Sequence, residues 1–197
     1  QRYPATGAAN AIVTLTVLDL DTGAAAPIKL GAGEHYLARV DWFPESDRLL
    51  VQRQPRDQKR LDLLAFPASG GEGRILFSER SPTWVELHDD LHFLPRRREF
   101  LWASERSGHN HLYRYGYDGA FKGAVTSGDW DVVAEDRSRA VAGIDERRGK
   151  VYFMSNRKSA VERQLYVARL DGSDAGEPAA VTSDDGYSLT MARVTEA

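Results

Sequence analysis

Apolar and polar residues alternate over short runs in this chain, and turn residues separate the runs. Within residues 13–18, the apolar side chains of Val13, Leu15 and Val17 occupy every second position, as in a half-buried β-strand. Turn signals recur at Asp21-Thr22-Gly23, Ser69-Gly70-Gly71, Tyr117-Asp118-Gly119 and Leu170-Asp171-Gly172. No window shows a sustained helical periodicity. The pattern therefore predicts an all-β protein.

The strand pattern is also a repeat. Leu49, Phe100 and Val151 each open an equivalent strand after a polar turn, and successive members of this series are 51 residues apart. A second marker is an aromatic residue that we expect just before a new strand, at Tyr36, Trp84, Trp130 and Tyr187. A period of about 50 residues is the length of a four-stranded β-propeller blade.

The repeat predicts a β-propeller fragment built of four-stranded antiparallel blades. Three complete blades are expected at residues 36–78, 84–126 and 130–182, with partial blades at 11–30 and 187–197. The chain would thus start and stop within a blade, and we expect all of 1–197 to be part of one propeller domain. It opens on Gln1 rather than Met, which favours a mature or trimmed product.

Composition narrows the classes of function. The 197 residues carry a net charge of −3, and the basic run Arg96-Arg97-Arg98 is followed at once by Glu99, so we expect a solvated turn and no nucleic-acid partner. Cysteine is absent, which excludes disulfides, thiolate metal sites and a cysteine nucleophile. No apolar stretch approaches the roughly 18 residues of a membrane span, so no membrane partner is expected.

Motifs for catalysis or for a cofactor are missing from the sequence. It contains neither Gly-x-Ser-x-Gly nor a glycine-rich phosphate loop, so we expect no catalytic residue and no cofactor within the chain. His88 and His92 would share a face of a strand about 13 Å apart, too far for one ion. His109 and His111 lack a third ligand nearby. We therefore expect no metal site.

The segment Thr83–Phe93 is unusually polar for a predicted innermost strand. Such a strand lines the central channel of a propeller, and Glu86, His88, Asp89 and Asp90 would give it a partly acidic surface. Two interpretations stay open. These side chains either contact a ligand in the channel or form a lining that is polar because the channel holds water.

Several segments, in a fixed order, resemble one known family. They are residues 2–10, 35–38, 84–90 (Trp84-Val85-Glu86-Leu87-His88-Asp89-Asp90), 100–113 (which opens Phe100-Leu101-Trp102-Ala103) and 126–132. Together they are similar to the middle and late blades of the dipeptidyl peptidase IV group, in the prolyl oligopeptidase family of serine peptidases. The motif series Ser-x-Arg-x-Gly…Leu-Tyr…Asp-Gly also occurs, by itself, in TolB-like propellers.

The resemblance implies an N-terminal eight-bladed propeller that caps an α/β-hydrolase domain, in an enzyme that removes N-terminal dipeptides with Pro or Ala second. The Ser, Asp and His of its triad would lie beyond Ala197. Animal members have an aromatic residue and an Arg near the substrate pocket where this chain has His88 and Asp89. Because an acid replaces the Arg that binds a substrate carbonyl, we expect substrate contact chiefly through His88, with Asp89, Glu86 and Trp84 as the other binding residues. Bacterial relatives imply a periplasmic or secreted location.

A second class of function fits the same blades, namely a non-catalytic TolB-like propeller that serves as a protein-interaction scaffold. A Gly-x-Ser-x-Gly motif in the sequence that follows Ala197 would favour the peptidase. In either case we expect the chain alone to have no peptidase activity, because acyl transfer needs a nucleophile, a base and an oxyanion hole.

An open arc of blades is predicted to self-associate. Blade faces carry residues meant for a neighbouring blade, such as Phe100, Trp102, Tyr152 and Phe153, and an unclosed arc exposes a face and strand edges at each end. Light scattering of the purified chain should show dimers or larger species at high concentration. A clean monomer near 21.9 kDa would contradict the prediction.

Overall fold

A computed structural model describes residues 7–133 and 139–182. All regular elements within these residues are β-strands, which confirms the all-β prediction. The described part of the chain offers no helix that is long and apolar enough to cross a membrane. The predicted partial blade at 187–197, the marker Tyr187 and residues 2–6 of the first family-like segment lie outside the described residues.

The strands belong to two compact units, one within residues 1–87 and the other within residues 88–197. In the first unit an antiparallel sheet has the order β3 (His35–Trp42), β4 (Arg48–Pro55), β5 (Arg60–Pro67), β7 (Arg74–Arg80). A smaller sheet has the order β1 (Leu15–Leu18), β2 (Ala25–Lys29), β6 (Gly71–Glu72), in which β6 runs parallel to β2.

A hydrophobic core joins the two sheets of the first unit. The smaller sheet and the residue that follows it supply Ile28 and Leu30, and the four-stranded sheet supplies Leu49, Val51, Leu64 and Phe66. Successive members within a strand are two positions apart because they share one face of the sheet. The alternation visible in the sequence is thus the alternation that buries this core.

The second unit consists of two four-stranded antiparallel sheets. One has the order β11 (Phe121–Ala124), β10 (His111–Gly116), β9 (Glu99–Ser104), β8 (Leu91–Leu94). The other has the order β12 (Val141–Asp145), β13 (Lys150–Ser155), β14 (Gln164–Arg169), β15 (Ala179–Ala180). Sheets of four consecutive antiparallel strands are the blades of a β-propeller, as the repeat predicts.

The register of the repeat is confirmed strand by strand. Leu49, Phe100 and Val151 are each the second residue of the second strand in their sheets, namely β4, β9 and β13. Their side chains are all buried. A spacing of 51 residues in the sequence therefore corresponds to one structural position in three successive blades.

The aromatic markers are only partly correct. Tyr36 is the second residue of β3 and so lies at the start of a strand, close to its expected place. However, β8 begins at Leu91 rather than just after Trp84, and β12 begins at Val141 rather than just after Trp130. Trp130 instead fills the core between the two sheets of the second unit. Its ring stacks on that of Phe153, with 6.1 Å between the centroids. The segment around Trp130 is therefore used for packing between sheets before the inner strand starts.

The two sheets of the second unit approach each other closely at Gly172. Its φ is +77°, and a Cβ atom at this position would lie 2.2 Å from the carbonyl oxygen of Ala124, at the end of β11. We expect Gly172→Ala to lower the free energy of unfolding by more than about 2 kcal/mol, since left-handed strain and overpacking add. Urea denaturation measures the change.

Gly108→Ala is the matched control. Gly108 also has a positive φ, +97°, but a Cβ atom there would meet no atom within 4 Å. It should cost only about 1 kcal/mol of backbone strain. Equal losses for the two variants would show that the contact with Ala124 has no energetic weight.

Candidate functional site

Two of the four predicted site residues, Trp84 and Glu86, lie in the first unit and contact each other. Trp84 is 58% exposed, and its indole Nε1 donates a hydrogen bond of 3.0 Å to Glu86 Oε2. Between them, Val85 N donates to the carbonyl oxygen of Gln58 at 2.8 Å. Gln54 Nε2 donates to Val85 O at 3.1 Å. An exposed indole and carboxylate are thus presented from a firmly held backbone.

These contacts correct the prediction of a channel strand over Thr83–Phe93. Residues 84–90 lie outside the strands, and only Leu91–Leu94 at the end of the segment form one. The physical reason is that the backbone groups of Val85 bond to a turn and to a side chain, which leaves them unable to pair with a neighbouring strand. The segment is an irregular connection that leads into β8.

The other two predicted residues, His88 and Asp89, are half-buried in the second unit. The His88 ring packs edge-on against Trp102 in β9, with 4.4 Å between centroids and an angle of 63° between the planes. Its Nδ1 accepts a hydrogen bond of 3.2 Å from the backbone N–H of Asp90. A neutral imidazole that accepts at Nδ1 carries its proton on Nε2. His88 is therefore held in one orientation and one tautomer.

Asp90 does not belong to an exposed polar lining, as the sequence suggested, because it is only 2% exposed. Its Oδ2 accepts the backbone N–H of Ala140 at 2.8 Å, and its Oδ1 accepts that of Val141 at 3.0 Å. His92 Nε2 lies 3.1 Å from Oδ1 and must be the donor, since an ionised carboxylate only accepts. The carboxylate thus joins the entry to β8 with the start of β12.

The carboxyl group of Asp90 stays ionised despite its burial. Burial alone would raise its pKa, but the hydrogen bonds from His92 and from the backbone of Ala140 and Val141 outweigh that penalty and lower the pKa below its ordinary value. The folded state therefore favours the charged form of Asp90.

Two further histidines, His109 and His111, also contact protein partners. His111 is 1% exposed, with Nδ1 at 3.0 Å from Thr126 Oγ1 and Nε2 at 3.0 Å from Gly128 O. Burial lowers the pKa of His111, so its ring stays neutral and both nitrogens are occupied. His109 Nδ1 lies 3.3 Å from Asp131 Oδ1. The described residues contain no group of three His, Cys, Asp or Glu side chains that could hold a metal ion.

Sequence reasoning missed a second polar link between the sheets, at Asp131. Its Oδ1 accepts the backbone N–H of Asn110 at 2.8 Å, and its own N–H donates to Asn156 Oδ1 at 2.7 Å. Ser155 Oγ, at the end of β13, donates to Asp131 O at 2.9 Å. The equivalent motifs Ser104-Glu105-Arg106 and Ser155-Asn156-Arg157 were a usable signal, since they place a polar turn at the same end of two neighbouring sheets.

The pKa of Asp90 predicts how stability depends on pH. Because this pKa is lower in the folded than in the unfolded chain, ionised Asp90 stabilises the fold above the unfolded value of about 3.9. That contribution is lost as the pH falls through the folded pKa. Asp90→Asn should therefore destabilise the chain strongly at pH 7 and much less at acidic pH, as measured by urea denaturation across the range.

A core variant without a titrating group is the control. Val125 is fully buried between the two sheets, so Val125→Ala should destabilise the chain by a similar amount at every pH. If the loss caused by Asp90→Asn were equally independent of pH, the ionised carboxylate would not be the stabilising species.

Comparisons with known proteins identify the family of the chain. A family model described as the dipeptidyl peptidase IV N-terminal region matches residues 1–195. Probable dipeptidyl-aminopeptidase B of Coccidioides posadasii is 28% identical over 94% of this chain and 21% of its own length. Dipeptidyl peptidase 8 of Mus musculus is 27% identical over 95% of this chain and 27% of its own length. The chain thus spans about a fifth to a quarter of these relatives.

Solved structures share the fold. The crystal structure of Porphyromonas gingivalis dipeptidyl peptidase 4 superposes with a TM-score of 0.78 at 22% identity, over 93% of this chain and 25% of that one. The crystal structure of a putative dipeptidyl aminopeptidase IV from Bacteroides ovatus gives a TM-score of 0.71 at 24% identity, over 85% of this chain and 26% of that one. With the family model matched over nearly every residue and these blades superposed, the chain belongs to the dipeptidyl peptidase IV N-terminal region family.

Proposed function

We propose that this chain is the substrate access and recognition region of a serine exopeptidase, which removes N-terminal dipeptides with Pro or Ala in the second position. The observation that carries the proposal is the match of the dipeptidyl peptidase IV N-terminal model to residues 1–195. The names of the relatives, dipeptidyl-aminopeptidase B and dipeptidyl peptidase 8, support the same activity. The partners are peptide substrates and a hydrolase domain that follows the propeller in the same protein.

His88 is the residue that we assign to peptide contact. It is half-buried, its Nδ1 accepts a hydrogen bond from Asp90 N, and its ring packs against Trp102. A ring held in this way loses little conformational entropy when it binds, which favours affinity. Imidazole side chains form hydrogen bonds of the kind that peptide backbone groups accept.

Trp84 and Glu86 supply different chemistry on the preceding stretch. The exposed indole offers an apolar face for a substrate side chain or backbone, and the carboxylate of Glu86 accepts from the indole Nε1 and fixes its orientation. Asp89 adds a further acidic group beside His88. We assign Trp84 and Glu86 of the first unit, and His88 and Asp89 of the second, separately to peptide contact by hydrogen bonding and apolar packing. The bond-breaking chemistry belongs to the hydrolase domain.

The test is His88→Ala in the full-length peptidase. Loss of one hydrogen bond from the peptide should raise KM by roughly 3- to 10-fold and change kcat little, because contact made equally in the ground and transition states is uniform binding. The effect should appear with Gly-Pro peptides that extend past the scissile bond, and be small with a Gly-Pro anilide. Steady-state kinetics over several peptide lengths measures it.

His109→Ala is the matched control in the same unit. His109 is also a partly exposed histidine, but it lies on the loop between β9 and β10 and pairs with Asp131. This variant should leave KM unchanged. A KM unaffected by His88→Ala at every peptide length would overturn the role of His88. Absence of dipeptide release by the full-length protein would overturn the peptidase proposal and favour the scaffold.

A further inference from the structure

Asp90 contacts the neighbouring sheet through its side chain and His88 through its backbone. Through its side chain, the carboxylate is anchored to the neighbouring sheet by the N–H groups of Ala140 and Val141, at 2.8 and 3.0 Å. Through its backbone, its N–H donates to His88 Nδ1 at 3.2 Å. One residue therefore fixes the position of the segment and the orientation of the imidazole.

A carboxylate is the side chain that this position requires. Three donors converge on it, two from the backbone at the start of β12 and one from His92 Nε2, and an ionised carboxylate has two oxygens that only accept. An asparagine would turn an NH₂ group toward a backbone N–H and leave a buried donor without an acceptor, which costs about 1–3 kcal/mol. The segment that carries His88 would then lose its anchor.

The contacts of the His88 ring explain why losing the hydrogen bonds between Asp90 and β12 would change its orientation. The ring packs edge-on against Trp102, which is 1% exposed and lies in β9. The Nδ1 atom meets the N–H of Asp90. Residues 84–90 lie outside the strands, so no ladder of backbone hydrogen bonds holds His88 in place. Trp102 and the anchored Asp90 both contact the ring and contribute to its orientation.

We propose that Asp90 is a positioning residue for substrate binding, which holds His88 in the orientation and tautomer that contact the peptide by tying its segment to the start of β12. The inference rests on the function proposed above, because it takes His88 to be the contacting residue. Asp90 itself touches no substrate, since its carboxylate is buried and filled by protein donors. Recognition at His88 consequently depends on the neighbouring sheet.

Kinetics of the full-length peptidase test the proposal. Asp90→Asn should raise KM for extended Gly-Pro peptides by roughly the same 3- to 10-fold as His88→Ala, with kcat and the KM for a Gly-Pro anilide little changed. The double variant His88→Ala/Asp90→Asn should be no worse than His88→Ala alone, because Asp90 acts through His88. Asp145→Asn, at the other end of β12, should leave all these constants unchanged.

A milder variant keeps the test decisive if Asp90→Asn fails to fold. His92→Phe keeps a ring at this position and removes only one of the three donors to Asp90. It should raise KM in the same direction by a smaller factor, and only while His88 is present. If either variant raised KM equally for the anilide, or added to His88→Ala, Asp90 would be merely structural and the proposal would be wrong.

Exchange of the imidazole C2 hydrogen, followed by mass spectrometry in the same protein, separates this inference from the proposed function. Asp90→Asn should speed the exchange of His88 several-fold by freeing its ring, and leave that of the buried His111 unchanged. An unchanged rate at His88 would overturn the positioning role whatever the kinetics show. Faster exchange together with a normal KM for His88→Ala would support positioning and refute only the role of His88 in binding.

Discussion

Packing of one four-stranded sheet against the next is the interaction on which the second unit depends. A sheet with apolar residues on its faces cannot bury them by itself, so each blade needs a neighbour. The core between these sheets takes Leu101 and Leu112 from one side and Val151 and Phe153 from the other. Trp130, on the connection between the sheets, fills the space between them. The first unit uses the same solution with its smaller sheet.

Apolar packing alone does not fix how one sheet is aligned on the next. Buried polar groups fix this alignment through directional hydrogen bonds. Asp90, His111 and the backbone around Asp131 each bond across or beside the gap between the sheets. A buried polar group without a partner is costly, so these bonds penalise any shift of one sheet along the other. The Asp90–Ala140 bond and the bond from Arg96 N to Glu146 Oε2 both join residues 50 positions apart. Residues one repeat period apart in the sequence thus contact each other across neighbouring blades.

The residues that we assign to peptide contact are held in place within each unit separately. Val85 is held by Gln54 and Gln58 in the first unit, and His88 is held by Trp102 and Asp90 in the second. The side chains that we assign to peptide contact lie on residues 84–89, which are outside the strands. Binding residues on loops supported by a rigid scaffold are a common arrangement, because loops can present side chains that a ladder would turn inward.

The sequence by itself determined the strands and their repeat. It predicted that Leu49, Phe100 and Val151 take equivalent places in their strands, and each is the second residue of β4, β9 or β13. This prediction succeeds because alternation and turn chemistry are local properties. Only the tertiary structure decided that residues 84–90 are not a strand, that Asp90 is buried, and that β6 pairs with β2. The backbone N–H groups that Asp90 accepts lie 50 and 51 residues away. A local sequence pattern cannot predict which distant N–H groups will donate to a carboxylate.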